Sequence, residues 1–168
     1  ITRMRLVPLR NLGACISPDN AWMFLQGIET LPLRMQRHCD NAMAAAKYLA
    51  DHPAVKWVRY PGLKQDPTYE TASRQFENGF GGMVVFGVKG GRKAGETFIN
   101  KLALISHLAN VGDAKSLAIH PASTTHSQLS EDQQQASGIT PDLIRLSVGI
   151  ESIEDIRSDL DQALASIR

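Results

Sequence analysis

The chain has 168 residues, enough for one domain with its own core, and at 43% hydrophobic and 21% charged its composition is globular. A formal net charge of +1 argues against a nucleic-acid or membrane-surface partner, and the apolar runs fall far short of a membrane span. The first residues form no signal-peptide series, and the opening Ile1-Thr2-Arg3-Met4 reads as a piece of something longer. Cys15 and Cys39 are the only cysteines, without a CxxC pattern, which predicts free thiols in a reducing, cytoplasmic compartment.

Residues 1–16 read as irregular or short strand, with Arg3, Arg5 and Arg10 among apolar positions. Ser17-Pro18 supplies an N-cap and a proline at the first helical position. From Asp19 to Asp51 the chain is helix-prone, and Pro32 predicts either two helices or one kinked helix. Beyond the kink, Met35, Cys39, Met43, Ala46 and Ala50 share the face expected to be buried, opposite Arg37, Asp40, Lys47 and Asp51. His52-Pro53 ends the helix, and Val55 to Tyr60 reads as a strand closed by Pro61-Gly62. Pro67 to Phe76 is a short helix candidate, and Met83 to Val88 a strand expected to be buried on both faces. A helix over about Arg92 to Leu102 and a strand over Leu104 to Ala109 come next. Ser130 to Gln133 has capping-box spacing, Leu143 to Val148 is a strand, and Ser152 caps a last helix. That helix carries its stripe on Ile153, Ile156, Leu160, Ala163, Leu164 and Ile167. Strands alternating with helices predict an α/β layer structure, helices packed on one sheet and a long kinked helix before it.

Arg145 is the residue with chemistry in the middle of a strand. Leu143, Arg145 and Ser147 share one face; Ile144, Leu146 and Val148 share the other. A guanidinium there offers a planar fork of donors suited to a carboxylate, although a solvated face or a structural ion pair would place an arginine equally well. The loop Asn110 to Asp113 can present amide and backbone donors, or be a plain turn. His120 and His126 lack the spacing of a helical metal pair, so no metal site is expected. Ser116 and His120 have no acid placed to orient them as a nucleophilic pair. The glycine clusters Gly79 to Gly82 and Lys89 to Arg92 read as turns, since neither fits a phosphate-binding pattern.

Five stretches carry a resemblance: Leu12 to Pro18, Leu25 to Arg34, Ser106 to Leu117, Pro121 to His126, and Arg145 to Glu151. Together they resemble the C-terminal part of the Cys/Met-metabolism family of pyridoxal-phosphate enzymes. Asn110 with Thr124 points to its sulfhydrylase branch, although other branches often carry serine where this chain has Asn110. The resemblance implies the small C-terminal domain of the aspartate-aminotransferase-like fold (fold type I). Residues 1–52 would be the end of the cofactor domain and the long linking helix; 53–168 would be the α/β substrate-carboxylate domain. It implies that Arg145 grips the substrate α-carboxylate, that Asn110 and the Val111 backbone contact substrate, and that Thr124 and Thr125 line the pocket.

The activity so implied is synthesis of homocysteine and acetate from O-acetylhomoserine and sulfide, by a transferase of methionine biosynthesis assembled as a tetramer of two tight dimers. The cofactor would be pyridoxal phosphate, but the family's Schiff-base lysine and phosphate contacts resemble no segment here. Lys101 and Lys115 lack the motif context. No catalytic residue is therefore expected in this chain, no cofactor-binding residue is assigned, and the chain by itself is expected to be inactive. Two other readings stay open: a non-catalytic α/β binding or assembly module, and a related γ-lyase or γ-synthase.

Overall fold

The structure, a computed structural model, describes residues 1–167. The chain divides into two compact units, with the boundary between Leu33 and Arg34. In the first unit, α1 (Thr2–Met4), a π-helical turn (Arg5–Leu9) and α2 (Arg10–Leu12) follow one another without a break. This replaces the irregular or strand segment expected there. Pro8 lacks an N–H and crowds the carbonyl of the preceding turn, and the backbone widens so that the Arg10 N–H donates to the Arg5 carbonyl. Gly13, at φ +63, ends the helical run in the left-handed conformation. Ser17 caps α3 (Pro18–Glu29) as its spacing predicts, accepting from the Asn20 N–H at 3.3 Å. No residue of α3 is buried; Trp22 and Phe24 are 63% and 65% exposed.

Thr30 separates α3 from α4 (Leu31–Asp51), so the long helical stretch is two helices. Pro32 lies in the first turn of α4, where its missing N–H has no partner to lose. In the second unit, the buried face of α4 is His38, Asn41, Ala42, Ala45, Ala46 and Leu49. The expected face holds at Ala46, which is fully buried, but Met35 and Ala50 are exposed, and Cys39 and Met43 only half-buried. A polar residue with a buried partner reads as a surface residue in the pattern. Here His38 donates from Nδ1 to the Val148 carbonyl at 2.6 Å, and Asn41 donates to the Gly149 carbonyl at 3.0 Å.

Five strands form one mixed sheet in the order β1-β2-β5-β4-β3: β1 (Val55–Arg59), β2 (Met83–Val88), β3 (Ser106–His107), β4 (Leu117–Ile119) and β5 (Leu143–Ser147). All neighbours are antiparallel except β3 and β4. Four further helices are α5 (Tyr69–Gln75), α6 (Gly91–Lys101), α7 (Glu131–Ala136) and α8 (Ile153–Ala165). One side of the sheet makes the core. Val84, Phe86, Val88, Ala118, Ile144 and Leu146 join α4 through Ala45 and Leu49, α6 through Phe98, and α8 through Ile156, Leu160 and Leu164. Phe86 and Phe98 meet edge to face at 5.6 Å. The stripe on α8 and the capping box at Ser130 are as the spacing predicts. The Ser152 hydroxyl instead turns to Glu154, so α8 starts without a side-chain cap from it.

Two strands differ from expectation. β2 is fully buried on one side only: Met83 and Val85 are half-buried, on the face that carries Arg145. The strand expected over Leu104 to Ala109 shrinks to Ser106–His107, because the amides of Ala103, Leu104 and Ile105 all donate to Asp159 on α8 rather than to a strand. At Gly87 the lack of a side chain lets Trp57 lie across β2. An added Cβ would collide with the Trp57 ring, whose Nε1 donates to Asp142 at 3.0 Å.

Candidate functional site

Arg145 sits on β5, the central strand, opposite Val85 on β2 and Ile119 on β4. It is half-buried between Ile144 and Leu146, both fully buried on the other face. Its Nη2 donates to the Asn110 carbonyl at 3.3 Å. Among the described residues it forms no ion pair, unlike Arg59, which is bound to Asp66 at 2.9 Å. A partly desolvated guanidinium with one neutral partner keeps most of its fork available for an anion.

Asn110 opens an exposed loop, and its side chain shapes that loop. Oδ1 accepts from the Val111 N–H at 2.8 Å and Nδ2 donates to Asp113 at 3.3 Å. Asp113 in turn accepts from the Lys115 N–H at 3.1 Å, and Gly112 supplies the φ of +73 that the turn needs. The Val111 side chain is 65% exposed. The structure thus brings Asn110 and Arg145 together through the Asn110 backbone.

β4 runs beside Arg145 and leads directly into a 3-10 turn, Pro121–Ser123. The threonine hydroxyls are used locally: Thr124 donates to the His120 carbonyl at 2.8 Å, and Thr125 pairs with His126 Nδ1 at 2.9 Å. His120 is 1% exposed and locks the turn, with Nε2 on the Pro141 carbonyl and Nδ1 on the Ser123 hydroxyl, both at 2.8 Å. It does not meet Ser116, which has other partners, and no group of metal-ligating side chains assembles among the described residues.

One further residue of the site went unassigned in the sequence. Glu151 accepts from the Ser116 N–H at 2.6 Å through Oε1 and from the Ser116 hydroxyl at 2.9 Å through Oε2. The Gly149 N–H donates to the same hydroxyl at 2.8 Å, and the Ile150 N–H to the Ala114 carbonyl at 2.9 Å. This packing requires glycine at 149, where a Cβ would stand 2.5 Å from the Ala114 carbonyl oxygen. Ser147 to Glu151 carried no period and no turn type that marks such a contact. Only its adjacency to Arg145 in one block was a signal.

The model of the Cys/Met metabolism PLP-dependent enzymes matches residues 2–165. The chain belongs to that family. O-acetyl-L-homoserine sulfhydrylase from Leptospira meyeri is 55% identical over 99% of the chain and 38% of that protein. L-methionine gamma-lyase from Pseudomonas deceptionensis is 48% identical over 98% of the chain and 41% of its own length. A crystal structure of an O-acetylhomoserine (thiol)-lyase from Campylobacter jejuni, carrying an N'-pyridoxyl-lysine-5'-monophosphate, superposes with a TM-score of 0.90 at 43% identity. That match covers 98% of this chain and 39% of the other. The chain thus spans about two fifths of the length of these relatives, and the α/β fold expected of it is the fold of this family.

The described residues do not by themselves fit a seat for pyridoxal phosphate. A cofactor lysine needs shielding that lowers the cost of its neutral form. All seven lysines of this chain, Lys101 and Lys115 included, are exposed.

Proposed function

We propose that the chain is the C-terminal part of a pyridoxal-phosphate-dependent O-acetylhomoserine sulfhydrylase, which makes homocysteine and acetate from O-acetylhomoserine and sulfide. Residues 53–168 form its substrate-carboxylate domain; 1–52 are the end of the cofactor domain and the linking helix. The exposed Trp22, Met23, Phe24 and Leu25 support this, since a run of bare apolar side chains calls for a cover. The enzyme is read as a transferase of methionine biosynthesis, a tetramer of two dimers, and cytoplasmic in keeping with the free Cys15 and Cys39. No described helix is long and apolar enough to cross a membrane.

The observation that carries the reading is Arg145, half-buried on a central strand with no anionic partner among the described residues. A substrate α-carboxylate would complete a bidentate pair there, beside Asn110 and the Val111 backbone, with Thr124 and Thr125 on the adjacent turn. Arg145 then acts by orientation: it fixes which bonds of the amino acid face the reactive centre. In the full-length protein, Arg145→Ala lowers kcat/KM for O-acetylhomoserine by about 10²–10³-fold, the size of a lost two-bond charged contact, while cofactor absorbance is retained. Wild-type-like kinetics in that variant refute the assignment. Product analysis separates the sulfhydrylase from a γ-lyase: homocysteine with sulfide, and no 2-oxobutyrate or ammonia released without it, supports the first, whereas release of both without sulfide supports the second.

A further inference from the structure

We propose that Glu151 is a positioning residue for the substrate carboxylate, acting through Ser116 on the loop 110–115. The inference rests on reading Arg145 as the carboxylate clamp. That loop is exposed except for the half-buried Asp113, and the bonds among Asn110, Asp113 and Lys115 shape it without tying it to the sheet. Its attachment comes from elsewhere. At one end the Asn110 carbonyl rests on Arg145. At the other, both oxygens of Glu151 close on Ser116, and the Gly149 and Ile150 amides close on Ser116 and Ala114.

Glu151 is itself held. Its carbonyl accepts from Asn41 Nδ2 at 2.9 Å and Arg37 Nη2 at 3.2 Å, so α4 anchors it. Arg145 and Glu151 lie on one short run of chain, so a single backbone sets both the guanidinium and the loop that must meet it. The charges are also kept apart. Glu151 makes no ion pair among the described residues, and both of its oxygens accept from Ser116. Its negative charge strengthens those two bonds without capping the arginine.

The test uses the full-length enzyme with Glu151→Gln, Glu151→Ala and Ser116→Ala, alone and combined with Arg145→Ala. The carboxamide of Glu151→Gln turns a donor toward Ser116. KM for O-acetylhomoserine is expected to rise about tenfold, as for a lost charge-assisted contact, with KM for sulfide unchanged. The dissociation constant of L-norleucine, measured by calorimetry, rises in step. In the Arg145→Ala background the Glu151 changes add nothing, because they act through the clamp. If Arg145→Ala raises KM while the Glu151 variants leave it at the wild-type value, this inference fails and the clamp stands. The same follows if their effect adds in full to that of Arg145→Ala. If Arg145→Ala leaves both kcat/KM and KM at their wild-type values, the clamp reading fails and this one with it. Should the Glu151 variants not fold, Ser116→Ala decides: a raised amino-acid KM supports the proposal, and an unchanged one overturns it.

Discussion

Asp159 holds the approach to the site together, and its removal can be worked out from its bonds. The residue is on α8 and 5% exposed. It accepts from the Ala103, Leu104 and Ile105 amides at 2.8, 3.1 and 2.9 Å, and from Gln162 Nε2 at 3.0 Å. These three amides have no strand partner, so the carboxylate takes the place of a ladder for the segment that leads into β3. In Asp159→Asn one oxygen still serves Leu104 and Ile105, but an NH₂ group faces the Ala103 N–H and Gln162. Ala103 is exposed and this bond only part-buried, so the one stranded donor costs about 1 kcal/mol, the low end for an unmade bond. Asp159→Ala strands all three and costs about 4 kcal/mol, below a simple sum because the segment relaxes. Urea denaturation of wild type and both variants measures this, with hydrogen exchange at residues 103–105 showing the local loss. Costs within about 0.5 kcal/mol of zero, as for an ordinary surface change, refute the reasoning.

Two further predictions concern titration. Burial pushes the Asp66 carboxyl up, but hydrogen bonds from Arg59 and Thr68 and the Arg59 charge outweigh it and hold the group below its ordinary value. A depressed carboxyl stabilises the fold above its unfolded-state value and loses that contribution as pH falls through the folded one. Denaturation midpoints against pH are therefore expected to drop on the acid side in wild type and to flatten there in Asp66→Asn. For Tyr48, burial and then the hydrogen bond to Asp161 raise the phenol to about 12, with Arg157 opposing. Its contribution is complete below the ordinary tyrosine value and is lost as pH rises through about 12. Burial raises the Tyr60 phenol as well, so ultraviolet titration is expected to show two late-ionising tyrosines, of which Asp161→Asn shifts only the Tyr48 component down; an unmoved curve contradicts this.

Much of the second unit was legible because period and punctuation agree there. The β2 and β5 runs, the glycine turns at 79–82 and 89–92, and the α8 stripe each combine an apolar rhythm with a stop signal. What could not be read depends on partners distant in sequence. His38 and Asn41 belong to the core only because the Val148 and Gly149 carbonyls lie over them. β4 has three residues inside a polar block, too few for a period to show, and it exists as a strand through its pairing with β5. In the site, Arg145 stood out as a charge within a strand. Glu151 did not, because its meaning lies 35 residues away at Ser116.

The sheet order also separates two kinds of tolerance to change. β5 is paired on both sides, so a shift of Arg145 would break ladders with β2 and β4 at once. Most of the loop beside it is bare to solvent, and outside Asn110, Gly112 and Asp113 its side chains can be exchanged at little cost to folding. If Arg145 holds the substrate carboxylate as proposed, the grip on a feature shared by all amino acids sits on the least adjustable element. The loop beside it is the more adjustable of the two, so changes there need not rebuild the core.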